Sequence, residues 1–208
     1  MSEAFERVLQ GYLARAADER SLAEREGPAI IARRDELLLE VGLETAALLQ
    51  ALIIGRGARH IVEVGTSYGF STLFLAQAAA RTGGRVTTFE LSADKQAYAR
   101  ERLQEAGLAG HVEWRCGDAV ELLPWAEDGI DFVLIDLWKD LYVPCLEILH
   151  GKLADGAIVV ADNMLQPEMA RADAETYRAA VRARPDLQSV LLPIGSGIEV
   201  SCVWRGAA

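Results

Sequence analysis

A doubly wound α/β fold, with a mostly parallel seven-stranded sheet and helices on both faces, is what this sequence predicts. Three observations carry the prediction. Short apolar, β-branched runs alternate with helical segments five times between residues 60 and 184, the pattern of a parallel sheet covered on both sides. The last two runs follow each other through a turn holding Gly195 and Gly197, with no helix between them, so the final strand is expected to pair antiparallel. Two helical stripes precede the first strand.

Taken in order, Phe5, Val8, Leu9, Tyr12 and Leu13 form the first stripe, at the spacing of one helix face. Ser21 to Pro28 reads as a charged connection, and Leu37, Leu38, Val41, Leu48, Leu49, Leu52 and Ile53 predict a longer helix stopping near Gly55 and Gly57. Strands are expected at HIVEV (60–64), RVTTFE (85–90), HVEWRC (111–116), GIDFVLID (129–136) and GAIVVAD (156–162). Helices are expected at 71–81, 93–107, 143–153 and 167–184, the last with Pro167 in its first turn. LQSVLLPI and GIEVSCVW supply the two closing strands. No repeat or linker divides the 208 residues, so one domain is expected, with N-terminal helices over 1–57 and the sheet core over 58–208.

Composition narrows the function classes. With 21 Lys plus Arg against 31 Asp plus Glu, the net charge is −10, which disfavours nucleic acid and anionic membranes as partners. No apolar run approaches the roughly 18 residues that span a bilayer, and the acidic start MSEAFERVLQ has no apolar leader core. The three cysteines, Cys116, Cys145 and Cys202, lack metal-type spacing, so reduced thiols and a cytoplasmic location are the expectation.

In an open α/β sheet, ligands gather at the carboxyl ends of the strands. The first strand ends at Glu63-Val64-Gly65 and continues Thr66-Ser67-Tyr68-Gly69-Phe70-Ser71. Its G-x-x-x-G spacing is neither the dinucleotide fingerprint G-x-G-x-x-G nor a P-loop, which sets a nicotinamide dehydrogenase aside. Glu90, at the tip of the second strand, is placed to accept hydrogen bonds from both hydroxyls of a ribose, or else to favour the helix N-terminus behind it. Asp118, after the third strand, could receive an adenine amino group and also cap a short helix. The fourth strand ends in Asp136 and the fifth in Asp162-Asn163, three hard oxygen donors on neighbouring tips that suit Mg²⁺ or Mn²⁺ better than zinc. Lys139 lies three residues past Asp136, toward the same place. The remaining features read as structural: His60, His111 and His150 share no motif, and Trp114, Trp125 and Trp204 are expected in the core.

The ordered set VEVGTSYGFST, FELS, GDA, IDLWKDLY and VADN resembles the S-adenosylmethionine-dependent, divalent-cation-dependent O-methyltransferases, a family that includes the catechol and caffeoyl-CoA types. The likeness covers roughly residues 35 to 205, and WKDLYVP followed by VADN is nearer the catechol branch. The resemblance implies a Rossmann-like class I methyltransferase fold, S-adenosylmethionine and Mg²⁺ as cofactors, and a small hydroxylated aromatic acceptor. It also implies roles. Val41 would contact the cofactor through its backbone, Glu63, Gly65 and Ser71 would hold its methionine end, Glu90 its ribose and Asp118 and Ala119 its adenine region, and Trp138 would stack near the adenine and methionine moieties. Asp136, Asp162 and Asn163 would bind the metal, with Asp136 also near the cofactor. Lys139 would be the general base and Glu199 would meet the acceptor's second hydroxyl. N-terminal helices of this kind cover the active site or meet a partner subunit, so a homodimer stays open. Leu137 stands where the animal catechol enzymes have His, and Ser67 where they have Tyr. The segment MLQPEMARADAE lacks the Trp-Gly of the caffeoyl-CoA type. These departures bear on the acceptor rather than on the cofactor. A binder of the same fold without turnover is the competing reading.

Overall fold

The computed structural model of the protein describes residues 2–206. Seven strands, β1 (His60–Val64), β2 (Arg85–Glu90), β3 (Val112–Cys116), β4 (Ile130–Ile135), β5 (Leu153–Ala161), β6 (Leu187–Leu192) and β7 (Ile198–Val203), form one sheet in the order β3-β2-β1-β4-β5-β7-β6. All neighbouring pairs from β3 to β5 run parallel, and β7 lies antiparallel to both β5 and β6. This is the predicted fold. The strand order reverses between β1 and β4, so their carboxyl ends flank the crevice in which such sheets bind ligands.

The helices are α1 (Glu3–Glu26), α2 (Leu43–Arg56), α3 (Phe70–Thr82), α4 (Ala93–Glu105), α5 (Ala119–Leu122), α6 (Tyr142–His150) and α7 (Arg171–Arg182). Residues of the central strands β1 and β4 alternate between two buried faces, which is why these strands read as nearly continuous apolar runs. On one face Ile61, Phe132, Leu134 and Val160 pack against Leu49 and Ile53 of α2 and Leu75 of α3. On the other, Val62, Val133, Ile135 and Val159 pack against Leu146 and Leu149 of α6 and Tyr177 of α7. Truncating any of these leucines to Ala would cost about 2–5 kcal/mol.

A third cluster attaches the N-terminus. Phe5, Val8, Leu9 and Tyr12 of α1 meet Phe70 and Phe74 of α3 and Leu103 of α4. The Ser2 hydroxyl caps α1 by accepting from the Phe5 amide at 3.2 Å. The Tyr12 hydroxyl donates to the Tyr68 carbonyl at 2.6 Å, tying α1 to the turn after β1.

Several boundaries differ from expectation. The supposed connection from Ser21 continues α1 to Glu26, because nothing before Gly27-Pro28 breaks a run of good helix formers; a 3₁₀ segment, Gly27–Glu36, follows. The helix expected from Leu37 begins only at Leu43. The Leu38 amide donates instead to the Glu19 carboxylate at 2.7 Å, and positive φ at Leu39 (+49°) and Gly42 (+82°) breaks the helical path. Leu38 and Val41 are buried with the α1 aromatics rather than on a helix stripe. The helix expected over 143–153 stops at His150, and Leu153 already belongs to β5. Pro167 precedes a 3₁₀ turn, Glu168–Ala170, and not the first turn of α7. Trp125 and Trp204 are 86% and 63% exposed, so they are not core residues; Trp114 is half-buried beneath Arg100. Among the described residues no helix is long and apolar enough to cross a membrane.

Candidate active site

The turn after β1 is built from below. Glu63 is fully buried, and its oxygens accept from the hydroxyls of Ser71, Thr72 and Thr88, each at 2.6 Å. Burial pushes its carboxyl up to about 7, against the three donors that favour the charged form. Glu63 and Ser71 therefore join β1 to the first turn of α3 and to β2, beneath the turn. Above it, Gly65 (φ +105°) passes so close to β4 that a Cβ there would lie 1.9 Å from the Asp136 carbonyl oxygen. No other residue fits.

Glu90 holds the turn from its other side. Its carboxylate accepts from the Ser67 amide at 2.7 Å and the Ser92 amide at 2.9 Å, leaving lone pairs for further donors. One strand outward, Asp118 is exposed and caps α5 through the Val120 amide at 2.8 Å, with Ala119 the first helical residue. Across the switch point, a narrow cleft is lined by Leu38, Val41, Gly65, Ser67, Ser71 and Asp136. The non-glycine residues with positive φ among those described are Leu39, Ser67 and Asn163, and all three stand at this end of the sheet. Such residues store about 1–3 kcal/mol of strain each and cluster where a structure must present groups to a ligand.

The tips of β4 and β5 bring the acids together. Asp162 is 1% exposed, and its Oδ1 is buried with no hydrogen-bond partner. Burial and the neighbouring Asp136 charge push Asp162 up to about 7. Loss of water raises Asp136 as well, and the Lys139 ammonium pulls it back. Lys139 donates to the Leu137 carbonyl at 3.3 Å, to Asn163 Oδ1 at 2.9 Å and to the Tyr142 hydroxyl. Tyr142 in turn donates to the Asp162 carbonyl at 3.2 Å. Burial lowers the Lys139 amine, and the two carboxylates oppose that shift.

No group of three His, Cys, Asp or Glu that could hold a metal occurs among the described residues; this site is two carboxylates and a carboxamide. An orphaned carboxylate oxygen, a second carboxylate that raises the first, and a neutral amide oxygen make a donor set that fits a hard divalent cation.

Trp138 is half-exposed on the rim of this site, with the Arg34 guanidinium carbon 4.7 Å from its ring centroid. Glu199 is engaged elsewhere. It is 1% exposed, and its oxygens accept from Arg178 Nε at 2.9 Å and the Ser189 hydroxyl at 2.8 Å, an internal pair between β7, α7 and β6. Thr72, Thr88, Tyr142 and Arg34 were not singled out in the sequence. A hydroxyl pair flanking a buried strand acid, and a Tyr three residues after the lysine, were the signals available for the first three.

A family model described as O-methyltransferase matches residues 17–202. A catechol O-methyltransferase of Mycobacterium tuberculosis is 37% identical over 132 residues, 63% of this chain and 59% of that protein. One from Niastella koreensis is 32% identical over 150 residues, covering 70% and 63%. The chain thus spans about three fifths of the length of these curated relatives. Among solved structures, the O-methyltransferase TomG of Streptomyces achromogenes, in complex with S-adenosylmethionine, is similar at a TM-score of 0.77 and 25% identity, covering 98% of this chain and 91% of that one. An O-methyltransferase from Bacillus cereus in complex with S-adenosylhomocysteine has a TM-score of 0.76 and 26% identity, with the same coverage. Sheet order, strand-tip chemistry and these likenesses agree: the chain belongs to the O-methyltransferase family.

Proposed function

We propose that this protein transfers the methyl group of S-adenosylmethionine to one hydroxyl of a catechol-like aromatic acceptor, assisted by Mg²⁺. The observation that carries the reading is the buried, unpartnered Oδ1 of Asp162 beside Asp136, Asn163 and Lys139. Bare clustered carboxylates are unfavourable, and here a single ammonium stands among them, so the site is built for a second cation. Relatives named catechol O-methyltransferase, and neighbours solved with S-adenosylmethionine or S-adenosylhomocysteine, support the same reading.

In this reading Glu90 accepts the ribose hydroxyls, while Val41, Gly65 and Ser71 form the wall along the methionine end of the donor. Glu63 supports that wall from beneath. Asp118 and Ala119 meet the adenine edge. Asp136, Asp162 and Asn163 hold the divalent cation, which when bound supplies a Lewis acid that lowers the hydroxyl pKa and orients adjacent oxygens. Lys139 accepts the proton of the reacting hydroxyl. Its buried amine is shifted toward the neutral form that this role needs. Trp138, assigned to the cofactor on the sequence, stands at the rim where donor and acceptor meet, with Arg34 against its ring. Holding donor and acceptor in line can contribute about 7–11 kcal/mol, so positioning by these rigid strand tips is the main contribution of the chain. Glu199 braces β7 through Arg178 rather than meeting the acceptor.

The test is metal-dependent turnover. Methylation of a catechol in the presence of Mg²⁺ should vanish with EDTA, and Asp162→Asn should lose both activity and the rise in melting temperature on adding Mg²⁺. Undiminished turnover in EDTA would overturn the reading.

A further inference from the structure

Arg34 stands apart from its neighbours. Arg33 bonds both Glu26 and Glu36, Arg15 bonds Glu19, and Arg20 bonds Glu40, yet Arg34 has no carboxylate within 4.0 Å among the described residues. Its guanidinium is stacked on Trp138 instead, 4.7 Å from the ring centroid, within cation–π range. No hydrogen bond or ion pair engages its N–H groups among the described residues, and a guanidinium edge matches a carboxylate bidentately.

The location gives the pair a purpose. Trp138 is flanked in the chain by Leu137, whose carbonyl accepts from the Lys139 ammonium, and by Lys139 itself, so its backbone belongs to the loop that carries the proposed base. Arg34 belongs to the 3₁₀ segment Gly27–Glu36, which leads directly into Leu38 and Val41 of the cofactor cleft. That segment is anchored: Arg15 donates to the Glu36 carbonyl at 2.8 Å and the Tyr68 hydroxyl to the Asp35 carbonyl at 3.3 Å. The stacked pair is thus a held feature of the rim, at a site whose floor carries Asp136 and Asp162. Lys139 stands on that floor beside the two carboxylates, and Arg34 adds at the rim a guanidinium with no carboxylate partner among the described residues, available to a negatively charged acceptor.

We propose that Arg34, stacked on Trp138, is a specificity-determining residue that selects hydroxyaromatic acceptors bearing a carboxylate. This rests on the reading of the site as a catechol-type O-methyltransferase. The experiment compares kcat and KM for 3,4-dihydroxybenzoate, 3,4-dihydroxybenzyl alcohol and 3,4-dihydroxybenzylamine with Mg²⁺, in wild type, Arg34→Gln and Arg34→Lys. Wild type should favour the benzoate over the benzylamine by roughly tenfold in kcat/KM, a ratio worth about 1.4 kcal/mol. Arg34→Gln should remove most of that preference through a raised KM for the benzoate, with kcat and the benzyl alcohol parameters little changed, and Arg34→Lys should restore part of it. The benzoate advantage should also shrink as salt rises. Turnover of all three acceptors with the same ratios in wild type and Arg34→Gln would overturn the subsite while leaving the methyltransferase reading intact. Failure to methylate any of the three would overturn that reading and the subsite with it.

Discussion

Lys139 Nζ donates to Asn163 Oδ1 at 2.9 Å, and this one bond joins the loop after β4 to the loop after β5. It places the proposed base against one of the proposed metal donors, and Tyr142 closes the arrangement by bonding both Lys139 and the Asp162 backbone. In the proposed mechanism, proton transfer and metal binding would be coupled through these few atoms.

Replacing Lys139 by Met keeps much of the stem and removes the amine. Turnover should fall by about a hundredfold or more, the usual weight of a positioned base. The affinity for S-adenosylhomocysteine, measured by calorimetry, should stay within a few fold. Wild-type turnover in this variant would remove Lys139 from the mechanism.

Glu90 tests the donor site. Its carboxylate already accepts from Ser67 and Ser92 amides, so Glu90→Gln is the milder probe of ribose binding. Hydrogen bonds to a charged acceptor contribute about 1.5–3 kcal/mol, and S-adenosylhomocysteine should bind at least tenfold more weakly. An unchanged dissociation constant would refute the role.

Glu63 predicts a pH dependence of stability in the metal-free protein. Its carboxyl is raised by burial from 4.5 to about 7, so the folded state holds a proton that the unfolded chain releases between those values. Its contribution is thus fully present below pH about 4.5 and is lost as pH rises toward about 7, by roughly 3 kcal/mol at most. Glu63→Gln cannot titrate. The wild-type melting temperature should fall relative to the variant between pH 5 and 8. A constant difference over that range would show that Glu63 is charged throughout.

Gly65→Ala should be severe. The added Cβ would lie 1.9 Å from the Asp136 carbonyl oxygen at a φ of +105°, so β1 and β4 must part at their tips. A loss of several kcal/mol is expected, in the range of strained or overpacked substitutions. Denaturant unfolding checks this, and a near-native midpoint would contradict the packing described.

Much of this molecule is written locally. Short apolar, β-branched runs and the glycines between them were enough to place all seven strands and the antiparallel final one, because the central strands β1 and β4 are buried on both faces and must be apolar nearly throughout. Asp136, Asp162 and Asn163 were visible because they follow such runs directly, at the end of the sheet where ligands gather. The break at Leu37–Gly42 was not visible. Its leucines keep a helical spacing, and distant side chains settle the backbone there, Glu19 by taking the Leu38 amide and Arg15 by holding the Glu36 carbonyl.

The residue pattern by itself determined the fold class and the oxygen-bearing side chains at the strand tips, since these follow from burial and chain order, while the strand order and its switch point came from the structure. Tertiary structure alone decided which partners the polar groups take. Glu63 faces three hydroxyls, Glu199 faces Arg178, and Arg34 rests on Trp138 instead of on an acid. Such choices depend on side chains brought together from far apart in the chain, where no local propensity speaks, and on the demand that a buried charge find a partner.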